Sequence, residues 1–158
     1  MTAATEPLGS FPFRHPIQVR FRDTDAMGHV NSAVYLTYLE TARAAYYATA
    51  TGASVGIGGA RGARSIILAE ARITYRSPVL FGESLVAACR VGWIGRSSFS
   101  MEYRLETVET LHGAARLVAH GETVQVMYDY AAGRPEPIPD DVRAQVEAFE
   151  GRTIPTRG

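Results

Sequence analysis

Apolar residues recur along this chain with two different periods. Residues 17–22 alternate, with Ile17, Val19 and Phe21 on one face and Gln18, Arg20 and Arg22 on the other, the pattern of a half-buried strand. A polar, glycine-containing loop follows over 23–30. The period then becomes helical: Tyr35, Leu39, Ala42 and Tyr46 form one stripe, predicting a helix from an N-cap at Asn31 to about Ala50. Leu36, Tyr38, Ala45 and Tyr47 make its other faces apolar too, and a helix that is apolar nearly all round is expected to be buried. Alanines at 42, 44, 45 and 48 let it lie close against a sheet.

From residue 65 the period is two. Ala69, Ala71, Ile73 and Tyr75 alternate with polar residues, then Leu85, Ala87, Cys89, Val91 and Trp93, then Phe99, Met101, Tyr103 and Leu105. A last long strand is expected over 117–130, with Gly121 as a bulge, and a short helix over 140–150 after the proline-rich 134–139. Short turns between consecutive strands imply antiparallel neighbours. One antiparallel sheet covers only one side of a buried helix, so self-association is expected to cover the rest. The order is similar to that of a hot-dog fold: α+β, with an antiparallel sheet of about five strands wrapped around a long central helix.

Composition narrows the chemistry. A chain of 158 residues, 46% hydrophobic and 20% charged, suits one globular domain. That domain is expected over 13–150, between a loose N-terminal end at 1–12 and a polar C-terminal tail at 151–158. Sixteen basic residues balance sixteen acidic ones, which gives no electrostatic reason to expect nucleic acid or an anionic membrane as partner. Every basic residue is arginine, which excludes a lysine Schiff base, a pyridoxal-phosphate anchor and a P-loop lysine. Cys89 is the lone cysteine, so there is no internal disulfide and no cysteine-cluster metal site. His15, His29, His112 and His120 lack the spacing of a helical zinc site, so neither metal nor cofactor is expected. Gly56-Ile57-Gly58-Gly59, in the Gly-rich connection 52–64, only imitates a dinucleotide-binding fingerprint, because its third glycine is misplaced. No signal peptide or apolar run of about 18–20 residues is present, so a cytoplasmic protein is expected.

The candidate chemistry lies between the first strand and the helix, in Arg22-Asp23-Thr24-Asp25-Ala26-Met27-Gly28-His29-Val30-Asn31-Ser32. This puts a carboxylate in a tight loop just before a buried helix. A helix start offers unpaired N–H groups and the positive end of its dipole, which would polarise a docked carbonyl and stabilise an oxyanion. A nearby carboxylate could attack that carbonyl or activate water toward it. Gly28 lets the backbone turn tightly beneath a ligand. Acyl transfer or hydrolysis follows from the residues alone.

Asp23, Asp25, Gly28-His29-Val30-Asn31, Tyr35, Leu39, Glu40 and Arg43, with the later 73–78 and 94–99, resemble the 4-hydroxybenzoyl-CoA thioesterase-like family of hot-dog acyl-CoA thioesterases. The resemblance covers about residues 15–131. It implies Asp25 as catalytic carboxylate, the Ser32 N–H as oxyanion donor, Gly28 and Asn31 as loop residues beside substrate, and Arg96, Ser97 and Ser98 at the CoA phosphates. It implies no cofactor beyond CoA as part of the substrate. Asp25 and His29 also match an acyl-carrier-protein thioesterase pattern, in which Met27 replaces an Asn. Asp23 reads as structural, bonding loop amides or Arg22. His29 either orients Asp25 or water, or satisfies loop backbone. Glu40 stands eight residues past Ser32, on nearly the same side of the helix. It is an alternative acid, set against an i,i+3 ion pair with Arg43. Tyr35, Tyr38, Tyr46 and Trp93 read as core or interface residues, and Cys89 as inert filler. The expected function is acyl-CoA hydrolysis by a homodimer or homotetramer. A hot-dog hydroxyacyl-thioester dehydratase and a non-catalytic acyl-CoA-binding module are the rivals.

Overall fold

The structure, a computed structural model, describes residues 10–52, 65–109 and 113–158. The connection expected over 52–64 lies outside the described residues apart from Gly52, as do His112 and positions 1–9 of the N-terminal end.

Strands β1 (Phe13–Gln18), β2 (Ser65–Tyr75), β3 (Ser84–Ile94), β4 (Ser98–Thr107) and β5 (Leu117–Asp129) form one antiparallel sheet in the order β1-β3-β4-β5-β2. A two-residue strand, β6 (Arg134–Pro135), pairs with β5. Helix α1 (Val34–Thr51) lies across one face, and α2 (Asp140–Glu150) packs against α1 and β3. This is the hot-dog arrangement. The inner face of β4 (Phe99, Met101, Tyr103, Leu105) and the α1 stripe (Tyr35, Leu39, Ala42, Tyr46) are buried together, as the two periodicities require. Cys89 is fully buried in this core, and burial pushes its thiol well above the ordinary range.

Four expectations are corrected. The first strand ends at Gln18, because Asp23 accepts the Arg20 N–H (2.9 Å) and draws Phe21–Asp23 into a 3₁₀ turn. Phe21 thereby leaves the face it shared with Ile17 and Val19 and stacks edge-on against Phe81 at 5.6 Å. The helix starts at Val34 rather than directly after Asn31. Gly121 is in register with both Ile73 and Tyr103 and marks no bulge; a β-carbon there would run into the Arg72 carbonyl oxygen.

The fourth concerns the ends. Residues 151–158 are not a loose tail: Ile154 is buried, Thr156 bridges Ile94, and the Arg157 guanidinium lies over the Trp93 ring at 4.7 Å. Phe11, within the end expected to be loose, is also buried, under the Arg90 guanidinium at 4.8 Å. One buried apolar side chain, one backbone bridge and one cation–π contact are enough to fix 151–158.

Candidate active site

Between β1 and α1 the chain forms a short hairpin. Its rungs are Asn31 N–H to Asp23 O (2.8 Å), the Thr24–Val30 bridge, and Asp25 N–H to His29 O (2.9 Å). The tip is closed by Asp25, whose Oδ1 accepts the Met27 N–H (2.9 Å) and whose carbonyl accepts the Gly28 N–H (3.0 Å). Gly28 takes φ +80°, a conformation that favours glycine. The hairpin is sewn to the chain before β3 by Val30 N–H to Val79 O (2.8 Å) and a His29–Leu80 bridge. Asp25 stays exposed, and its second carboxylate oxygen has no partner among the described residues.

Asn31 does cap the chain's entry into the helix, but through a turn upstream of it. Its Oδ1 accepts the Ala33 N–H (2.9 Å) and its carbonyl accepts the Val34 N–H (2.9 Å). Between them Ser32 is exposed, and its N–H is unbonded among the described residues. Ser32 is fixed from behind by the Tyr75 hydroxyl, which donates to its carbonyl (2.8 Å) while the Tyr35 and Tyr75 rings meet edge-on at 5.0 Å. Tyr75 was not singled out in sequence as a site residue; its place at the end of an alternating strand was the available signal.

Asp23 is buried, and its partner is Arg20 rather than Arg22. It accepts from the Arg20 N–H and from the Tyr38 hydroxyl at 2.8 Å. Burial pushes its pKa up, but the hydrogen bonds from Arg20 and Tyr38 outweigh it and hold the carboxyl below the ordinary range. Tyr38, pushed far above the ordinary phenol range by burial and by Asp23, remains a donor.

Arg96, Ser97 and Ser98 form the β3–β4 turn, held by Gly95 N–H to Ser98 O (2.7 Å), Met127 N–H to Ser97 O (2.8 Å) and Ile138 N–H to Arg96 O (2.8 Å). Exposed Arg96 lines a cleft of 470 Å³ with Arg134, Asp129 and Glu136. The structure does not bring this turn to the Asp25 hairpin within one chain. The hairpin sits at the N-terminal end of α1, whereas Ile94 and Phe99, flanking the turn, pack with Tyr46 and Tyr47 near its C-terminal end. The 18 residues of α1 span about 27 Å.

Glu40 is exposed and sits on the rim of a 410 Å³ cavity between α1 and the sheet, lined also by Arg43, Tyr47, Ile66, Phe99 and Met101. Its ion pair with Arg43 is long, at 3.8 Å. The i,i+3 pair expected from sequence thus forms, on the edge of a cavity lined by α1, β2 and β4.

Residues 19–146 match the thioesterase-like superfamily. The chain belongs to that superfamily. It is a thioester hydrolase of hot-dog fold. A crystal structure of a thioesterase from Thermus thermophilus, complexed with coenzyme A and Zn, is similar at 33% identity and a TM-score of 0.75, covering 92% of this chain and 98% of that one. A thioesterase-superfamily structure from a Jannaschia species is similar at 26% identity and a TM-score of 0.77, covering 90% and 85%. A 1,4-dihydroxy-2-naphthoyl-CoA thioesterase from Synechocystis, at 21% identity and a TM-score of 0.73 over 85% and 94%, shares the fold. No curated protein matches the chain. Among the described residues no three His, Cys, Asp or Glu side chains gather as a metal site, and no helix is long and apolar enough to cross a membrane.

Proposed function

We propose that this protein hydrolyses acyl-CoA thioesters, with Asp25 as the catalytic carboxylate and the Ser32 N–H as the oxyanion donor. The observation that carries this reading is the loop they share before α1: an exposed carboxylate with one open oxygen, and, in exposed Ser32, an amide with no partner among the described residues. The thioester carbonyl oxygen accepts from Ser32 N–H, and the charge developing on it is stabilised there. Asp25 either attacks the carbonyl carbon, giving a mixed anhydride that water then opens, or takes a proton from the attacking water. In both routes the C–S bond breaks and CoA leaves as thiolate. The CoA complex of the Thermus relative supports CoA as the carrier. His29, bonded through its carbonyl to Asp25 N–H, helps to hold the loop.

The site is completed by a second copy of the chain. Among the described residues strand β2 is bonded to β5 on one side only, and Ala69, Ala71 and Tyr75 on it are exposed. Two copies of one edge strand related by a two-fold axis pair antiparallel. That arrangement sets the Tyr75 end of one copy beside the Ser65 end of the other. Tyr75 marks the Ser32 end, while Ser65 pairs with Tyr128 and Ser98 with Val126, so Ser65 and Ser98 share an end. One copy's Asp25 and Ser32 then approach the other copy's Arg96, Ser97 and Ser98, where arginine forks suit CoA phosphates.

A second reading makes Glu40 the acid, because it lines the 410 Å³ cavity and Asp25 does not. Thiol release from acyl-CoAs by Asp25→Asn and Glu40→Gln separates the two. Loss only in Asp25→Asn supports the first reading; loss only in Glu40→Gln supports the second.

A further inference from the structure

Arg43 is a largely buried cation with few partners among the described residues. Its side chain is 13% exposed. Among the described residues it makes one hydrogen bond, to the Tyr103 hydroxyl at 3.5 Å, and one ion pair, to Glu40 at 3.8 Å. Both are at the long limit of their kind. Glu40 is 68% exposed, so its carboxylate is mostly hydrated. A guanidinium carries five N–H donors, and burying it in this condition costs stability unless something else engages them.

The cavity supplies the place. Arg43 lines the 410 Å³ space otherwise bounded mainly by apolar side chains, including Tyr47, Ile66, Phe99 and Met101. Behind it runs a buried polar chain: Arg43 to the Tyr103 hydroxyl, Tyr103 to Thr123 Oγ1 (2.9 Å), and the Gln125 amide N–H to Thr123 Oγ1. That chain fixes the Tyr103 hydroxyl, the group on the sheet that accepts from the guanidinium. An apolar tunnel with a fixed, under-partnered guanidinium on its wall selects a ligand with an apolar body and an anionic tip.

We propose that Arg43 is a specificity-determining residue that recognises a carboxylate at the far end of the acyl group, so that the preferred substrates are ω-carboxyacyl thioesters. The proposal rests on the thioesterase reading and deepens it. Ile66 and Leu68 place the cavity toward the Ser65 end of β2, the end that faces the other copy's Ser32 in the antiparallel dimer. The thioester carbonyl sits on that amide while the acyl tail enters the cavity, and the tail carboxylate displaces exposed Glu40 from Arg43. The fork then gains two charge-assisted hydrogen bonds of its preferred geometry.

The test compares tails of equal carbon number: suberoyl-CoA with octanoyl-CoA, and adipoyl-CoA with hexanoyl-CoA. The native protein should favour the carboxyl-ended member of at least one pair by about tenfold or more in kcat/KM, the size of effect a charged hydrogen bond gives. Arg43→Met should abolish that preference, and Arg43→Lys should keep part of it. Calorimetry with non-hydrolysable S-alkyl-CoA thioethers bearing the same tails reads the preference without turnover. There Asp25→Asn should discriminate as the native protein does. Equal or better handling of the methyl-ended tails by the native protein overturns the proposal, as does a preference that survives Arg43→Met. Failure of the native protein to cleave any of the four thioesters, with tail discrimination intact in the thioethers, would instead overturn the thioesterase site and leave Arg43 recognition standing.

Discussion

Two aspartates separated by one residue do different work because they meet different surroundings. Asp23 is buried, and the hydrogen bonds from Arg20 and Tyr38 make it a structural anion. Asp25 is exposed, with one oxygen spent on the turn and one open. Because the Asp23 pKa is lowered on folding, its contribution to stability is complete above the unfolded value of about 4 and is lost as pH falls through the folded value. Asp23→Asn should therefore destabilise the protein at neutral pH by roughly 1–3 kcal/mol and flatten the loss of stability below about pH 4. Denaturant titrations across that range check both effects. Tyr38→Phe should cost about 1–2 kcal/mol by removing one donor to a buried charge. At this scale much was legible. The spacing of Asp25, Gly28, Asn31 and Ser32 placed them on one loop, and the structure keeps them there. The Tyr38–Asp23 bond was not legible, since it joins a helix to a loop fifteen residues away. The partners of a buried carboxylate depend on packing rather than on sequence distance.

Elements were readable where packing agreed with period and misread where a local bond overrode it. The β4 and α1 stripes are buried as their periods require, and so is the β3 stripe as far as Val91, after which a register shift leaves Trp93 half-buried and puts Ile94 in the core. Residues 17–22 alternate as a strand should, but the Arg20–Asp23 bond breaks the strand and turns Phe21 outward to 76% exposure. The C-terminal segment was misread for the opposite reason: a single buried apolar residue, Ile154, gives no period, yet it and its hydrogen bonds hold the segment. Glu150, at the end of α2, accepts from the Tyr46 hydroxyl (2.5 Å) and the Val91 N–H (2.7 Å), and Arg152 holds its other oxygen (2.8 Å). Beyond it Ile154 is buried in the core, with its N–H on Glu147 and its carbonyl on Arg143. Ile154→Ala should thus destabilise the protein by about 2–5 kcal/mol, as for a core residue, and thermal or denaturant unfolding will show it. A change below about 0.5 kcal/mol, as for ordinary surface sites, would mean that the segment is a tail after all.

For the molecule as a whole, the proposed second copy answers a distance. The hairpin with Asp25 and Ser32 and the turn with Arg96 lie at opposite ends of a helix about 27 Å long, so the proposed site takes the first from one copy and the second from the other. The open edge of β2 is the surface on which two copies can bring them together. Ala71→Pro, on that edge, should shift the protein toward monomer in light scattering and lower thioester turnover with it, since proline removes a donor and disfavours strand pairing. Turnover unchanged in a proven monomer would remove the composite site. The central claim, however, is the proposal that Asp25, on the loop that also carries the Ser32 amide, cleaves the thioester, and thiol release from an acyl-CoA panel by Asp25→Asn tests it most directly. A fall of about a hundredfold or more in kcat is predicted, the range in which positioned acid–base groups act. Full activity in Asp25→Asn, with loss in Glu40→Gln, would contradict it.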